Sequence, residues 1–119
     1  MQPENCVLMR EADLRVCERA LRVIQEYLTK NHGFRSLIGD LRGTIALLAE
    51  RQADLSRSLN RKWRVLEETN ARIIYRKLSA TPPDYQALIN ATLEEIRALI
   101  LAAVSEADIS AGMIQADQR

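Results

Sequence analysis

The sequence predicts an all-α protein, an elongated up-down-up three-helix bundle with a long central helix. Three observations carry this. From Thr44 to Ala80, 37 residues in a row contain neither Gly nor Pro. Apolar residues recur three and four apart along most of the chain, the spacing of one helix face. Strand-like alternation persists nowhere. One helix over the breaker-free run would be about 55 Å long at roughly 1.5 Å per residue. A compact fold of 119 residues has no interior of that length. The run therefore predicts a bundle that meets a partner chain, in the manner of a coiled coil.

Composition agrees. Apolar residues make up 47%, charged residues 28% and aromatics only 4%. This balance is too apolar for disorder and favours helix over sheet. The length fits one helical-bundle domain over 1–112, with 113–119 as a loose C-terminal tail.

The first helix is expected over about 4–30, starting near Pro3 to Asn5. Leu14, Cys17, Leu21, Ile24 and Leu28 form its seam. Val16, Ala20, Val23 and Tyr27 widen that face enough to touch two neighbours. Asn31, His32 and Gly33 end it, Asn and Gly being the residues that tolerate a left-handed cap.

The central helix is expected over about 40–79. Phe34, Leu37, Ile38 and Leu41 keep helical spacing before it, but Gly39 and Gly43 each weaken a helix by about 1 kcal/mol relative to Ala. They mark a bend, a restart capped by Asp40 or Thr44, or a close approach of a neighbouring helix. The seam then runs through Ile45, Leu48, Leu55, Leu59, Trp63, Leu66 and Ile73 or Ile74, interrupted by Gln52 and Lys62. The alternative is a four-helix bundle with a break near residues 54–60, where Asp54 or Ser56 would cap the second half.

The third helix is expected over about 82–110. Thr81 offers a cap, Pro82 suits the first helical position, and Asp84 follows three after Thr81. Tyr85, Ile89, Ile96, Ile100, Ala103 and Ala107 form its seam, and it frays near Ser110 to Gly112.

Net charge is +1, so no global field draws the chain to nucleic acid or an anionic membrane. The charge is uneven, however. Residues 57–79 carry seven basic and two acidic side chains, and residues 80–119 carry two basic and six acidic. Arg57, Arg61, Arg64, Arg72 and Arg76 fall within about 120° of the helix circumference. Such a stripe is a solvated face, a match to an acidic surface on the third helix or a partner, or a phosphate-binding face. Trp63 lies on the opposite, apolar side, as core or as an interface anchor.

Chemistry-bearing residues are sparse. Cys6 and Cys17 would sit about 16 Å apart on one helix, too far for a disulfide. Free thiols and the absence of a signal-like N-terminus lead us to expect a cytoplasmic protein. The longest apolar stretch, Ala98 to Val104, is far short of a membrane span. One His and two distant Cys make no metal site. No cofactor motif or catalytic constellation occurs, so an enzyme is not expected.

Two resemblances bear on function. The run His32-Gly33-Phe34-Arg35-Ser36-Leu37 resembles the phosphoacceptor box of sensor histidine kinases in Phe34, Arg35 and Ser36. Gly33 stands where that family has an acidic residue and Leu37 where it has proline. In size and helix pattern the chain looks like the export chaperones of flagellar and type III secretion systems, an analogy of fold alone.

The leading expectation is a non-enzymatic protein–protein interaction module, such as an adaptor, assembly factor or export-chaperone-like protein. It would act by helix-face packing, through self-association or a helical partner. Its candidate contact residues are Arg57, Arg61, Arg64, Arg72, Arg76 and Trp63. The less favoured alternatives are nucleic-acid binding through the Arg stripe and a histidine phosphorelay through His32.

Overall fold

The computed structural model describes residues 9–29 and 32–117, and of residues 107–117 the backbone only. Four helices follow one another: α1 (Glu11–Leu28), α2 (Phe34–Leu48), α3 (Ala53–Tyr75) and α4 (Pro83–Asp117). The described residues are all-α, but the three-helix bundle is corrected to four helices. The break that makes the fourth lies at residues 49–52, just before the 54–60 window.

That break occurs without Gly or Pro, so its cause is tertiary. The Gln52 N–H donates to the Leu48 carbonyl (2.8 Å), and the Ser56 N–H to the Gln52 carbonyl (2.9 Å) starts α3. The Ser56 hydroxyl then reaches back across the turn and donates to the Ile45 carbonyl in the last turn of α2 (2.9 Å). Ser56 is therefore a buried residue inside α3 rather than its cap. Arg51, in the turn, donates to both carboxylate oxygens of Asp13 on α1, at 2.8–3.3 Å. Gln52, the polar residue on the apolar seam, marks the place where the helix yields.

The expected helix starts are corrected as well. α2 begins at Phe34 and runs through Gly39 and Gly43 without a bend. Both glycines are exposed, and a Cβ on either would meet nothing within 4 Å, so no helix packs closely over them. α1 begins at Glu11. Arg10 is extended (φ −75°, ψ 162°), and its carbonyl accepts the first helical bond from Leu14 (2.9 Å). The expected start near residues 3–5 lies outside the described residues. Glu11 and Asp13 in the first turn suit the positive end of the helix dipole. α4 begins at Pro83, one residue later than expected. The Pro82 carbonyl accepts from the Gln86 N–H (2.9 Å). α4 continues to Asp117, past Ser110 to Gly112.

α3 ends without glycine. Lys77 takes the left-handed conformation (φ 55°). Its N–H bonds the Ile74 carbonyl (3.0 Å), and the Leu78 N–H bonds the Ile73 carbonyl (3.1 Å). These two bonds are the Schellman pattern that satisfies terminal carbonyls, here with lysine at the position glycine usually fills.

Each helix packs on the next, and α4 closes on α1, while the diagonal pairs do not meet among the described residues. The short connections make neighbours antiparallel, giving an up-down-up-down bundle. The shape is elongated, 60 × 26 × 20 Å. All four helices supply the core: Cys17 and Ile24, Leu37 and Leu48, Leu59 and Leu66, and Ile89, Leu93, Ile96 and Ile100 are fully buried.

Two side-chain contacts set the register of α4. Lys62 Nζ meets Glu95 Oε2 (3.1 Å), and Gln86 Nε2 donates to the Tyr27 hydroxyl (3.1 Å). Counting along α3 and α4 from the first pair places Ala53 level with about residue 104 of α4. The last three turns of α4 therefore run past the start of α3.

Candidate interaction face

Arg57, Arg61, Arg64 and Arg72 on α3 and Arg76 at its C-cap are all exposed. Arg57 pairs with Asp54 in its own first turn. The other four make no ion pair among the described residues. One ion pair among the described residues joins α3 to α4, and it uses Lys62 rather than an arginine of the stripe. Among the described residues no arginine of the stripe makes an ion pair with α4.

Tyr75 belongs to this face, a feature sequence reasoning missed. It follows Arg57 by eighteen residues, five full turns, and so stands within the stripe, toward its Arg64 edge. It is 87% exposed, the largest value among the exposed apolar and aromatic side chains described. An exposed tyrosine among arginines combines a flat, rigid contact surface with charge, the pairing enriched at protein–protein hot spots. The spacing was the available signal.

Trp63 is set on the other side, in the core. Its Nε1–H donates to the Ile38 carbonyl of α2 (2.9 Å) and the residue is 8% exposed. The bond gives the buried indole N–H its partner and locks α3 to α2. A cavity of about 10 Å³ lies between Trp63, Leu41, Thr44, Leu59, Ile96 and Ile100. That is the lower limit for a single water and holds no ligand.

Among the described residues Asp13 is the one buried charged side chain, 1% exposed. The Arg51 hydrogen bonds hold its carboxyl below the usual range, against the opposing effect of burial and with help from the Arg10 backbone amide. Gln52 also faces this carboxylate, yet its Nε2 is buried without a hydrogen-bond partner.

Cys17 is buried, with its thiol 3.8 Å from the Met9 sulfur. Burial, then the charges of Asp13 and Glu18, push the thiol up to about 11. Cys6 lies outside the described residues.

His32 sits in the loop before α2, not on a helix. Its Nε2 lies 3.0 Å from Asp40 Oδ2. Gly33 caps α2, and Phe34, Arg35 and Ser36 form its first turn. The box that resembles a phosphoacceptor site is thus a loop and helix start, with one ring nitrogen engaged.

Among the described residues no three His, Cys, Asp or Glu side chains gather where they could hold a metal ion, and no helix is long and apolar enough to cross a membrane. Compared with known family models, curated proteins and solved structures, the chain matches none of them.

Proposed function

We propose that this chain is a non-enzymatic protein-interaction module that works by helix-face packing, with the outer face of α3 as its contact surface. One observation carries the reading. Arg61, Arg64, Arg72 and Arg76 are exposed without ion-pair partners among the described residues, and Tyr75 stands among them, 87% exposed. Arg and Tyr are over-represented in the few side chains that dominate binding energy. The burial of Trp63 removes it from this surface and leaves Tyr75 as the aromatic anchor.

Nucleic-acid binding is the second reading, favoured by the same tyrosine, on which a base could stack. The net charge of +1 weighs against it, because affinity for phosphate comes from neutralising many of them.

Both readings meet one experiment. A photo-crosslinking phenylalanine analogue replaces Tyr75, and irradiation is carried out on purified protein and in extract of the source cells. Adducts to polypeptide that disappear with Arg61→Glu plus Arg64→Glu support the proposal. Adducts removed by nuclease replace it with the second reading. No adduct from either sample ends it.

A further inference from the structure

We propose that the open face formed by α3 and α4 docks a second copy of this chain, about a two-fold axis parallel to the bundle. The inference rests on the reading of α3 as a protein-contact face and names the partner.

The outward face of α4 mixes acidic side chains with small and apolar ones. Ala87, Ala91, Ala98 and Ala102 are exposed along it beside Glu94 and Glu95, and Leu88 and Leu101 are 44% and 42% exposed. The outward face of α1 is more densely charged, with Glu11, Arg15, Glu18, Arg19, Arg22 and Glu26 exposed. The alanines leave low surface between the acidic side chains of α4, where another helix can approach closely.

Charge then selects the occupant. α3 with its C-cap carries five exposed arginines against Asp54, Glu67 and Glu68, and Asp54 is already paired with Arg57. α4, as far as Glu106, carries Asp84, Glu94, Glu95 and Glu106 against Arg97. A basic helix beside an acidic one makes a face complementary to itself. A two-fold axis parallel to both helices lays α3 of one copy over α4 of the other, twice, as an isologous interface requires. An axis across the helices would set α3 on α3, arginine against arginine.

The register also fits. The Lys62–Glu95 contact of 3.1 Å fixes which residues of α3 and α4 share a level, and an axis along the bundle preserves that level between copies. Arg61 then comes level with the second copy's Glu95, and Arg72 with its Asp84. Each pair of like charges is eleven residues apart, three turns and about 16.5 Å, so both contacts form together. The overlap, about 34 Å long and two helices wide at 8–10 Å spacing, covers roughly 650 Å² on each copy. The total of about 1,300 Å² falls within the range of stable interfaces.

Three variants test this by light scattering, with circular dichroism confirming that each stays helical. The first is Arg61→Glu with Arg72→Glu. The second is Asp84→Arg with Glu95→Arg. The third, Ala91→Arg, adds bulk at an exposed position with no ion pair to lose. The unaltered chain is expected at twice the chain mass, and each variant alone at the single mass. An equimolar mixture of the first two is expected to return to the double mass, because both contacts are then restored with their signs exchanged. A monomeric unaltered chain, variants that remain dimeric, or a mixture that stays monomeric would each overturn the proposal. A monomer that still forms Tyr75 adducts with other polypeptides would remove the second copy and leave the contact face standing.

Discussion

Arg51 donates to both carboxylate oxygens of Asp13 across 38 residues of sequence, tying the turn between α2 and α3 to the first turn of α1. The Asp13 side chain is 1% exposed, while that of Arg51 is 40% exposed. Removing either partner therefore does different harm. Without Arg51 a buried charge loses its compensation, and without Asp13 an exposed arginine merely loses a contact.

This pair gives stability a pH dependence with a definite sign. The folded carboxyl is held below its unfolded value, so the pair's contribution is complete above the unfolded pKa. It is lost as the pH falls through the folded one. Asp13→Asn is expected to lower urea stability at neutral pH. The gap from the unaltered chain should narrow steadily once the pH drops below the ordinary carboxylate range. A gap that stays constant through acid would show that the charge of Asp13 contributes nothing.

Gly39 and Gly43 offer stabilisation without a packing cost. Both are helical, exposed and open at the Cβ position. Gly39→Ala and Gly43→Ala are each expected to raise unfolding free energy by about 0.5–1 kcal/mol, through propensity and reduced freedom of the unfolded chain. Chemical denaturation of the single and double variants measures this. A loss of stability would mean that something closes over α2 in solution.

Lys77 is expected to respond in the opposite chemical direction. Its left-handed backbone costs a non-glycine residue about 1–2 kcal/mol. Lys77→Gly should recover part of that, about 1 kcal/mol after the added freedom of the unfolded glycine. Lys77→Ala, which keeps the strain, should change little. Equal effects of the two would remove backbone strain as the cause.

Trp63 reports on the core. Its fluorescence should be blue-shifted in the native protein and move to the red in one step with unfolding. Trp63→Phe loses the bond to Ile38 and leaves unfilled volume, at an expected cost of about 2–4 kcal/mol. Native emission like that of a solvated indole would contradict the burial described here.

Cys17 should resist alkylation. With its thiol buried and pushed up to about 11, modification at pH 8 is expected only at the rate of unfolding, measured on the Cys6→Ser chain so that Cys17 alone reports. Equal rates for the folded chain and the same chain unfolded in urea would refute the assignment.

Much of the bundle was legible because helix packing writes a local period into the chain. Cys17, Ile24, Leu48, Leu59, Leu66, Ile89, Ile96 and Ile100 all stood on the expected seams and are buried. The division of the long run was not legible. Nothing in residues 49–52 disfavours a helix by propensity, and the partners that divide it, Asp13 with Arg51 and Ile45 with Ser56, lie apart in sequence. Gln52 on the seam was visible, but a polar seam residue has several causes. The end of α3 hid for a related reason, since lysine occupies a backbone position that glycine usually announces. On the contact face, the arginines were evident from their spacing, whereas Tyr75 was hidden among apolar neighbours until its exposure distinguished it from Ile73.

A turn whose bend depends on partners distant in sequence also stores a second topology. Residues 49–52 would accept the helical conformation of their neighbours, and straightened they join α2 and α3 into one rod of 42 residues. Two such rods side by side can exchange their α1–α2 halves and rebuild every core contact between molecules. Conditions that loosen the Asp13–Arg51 tie, acid above all, are therefore expected to favour an exchanged dimer. Strand-specific labels on α1 and α4 would detect it as transfer between chains after return to neutral pH. In this molecule the identity of the folded unit, one chain or two halves of two, depends on whether a single hinge stays bent.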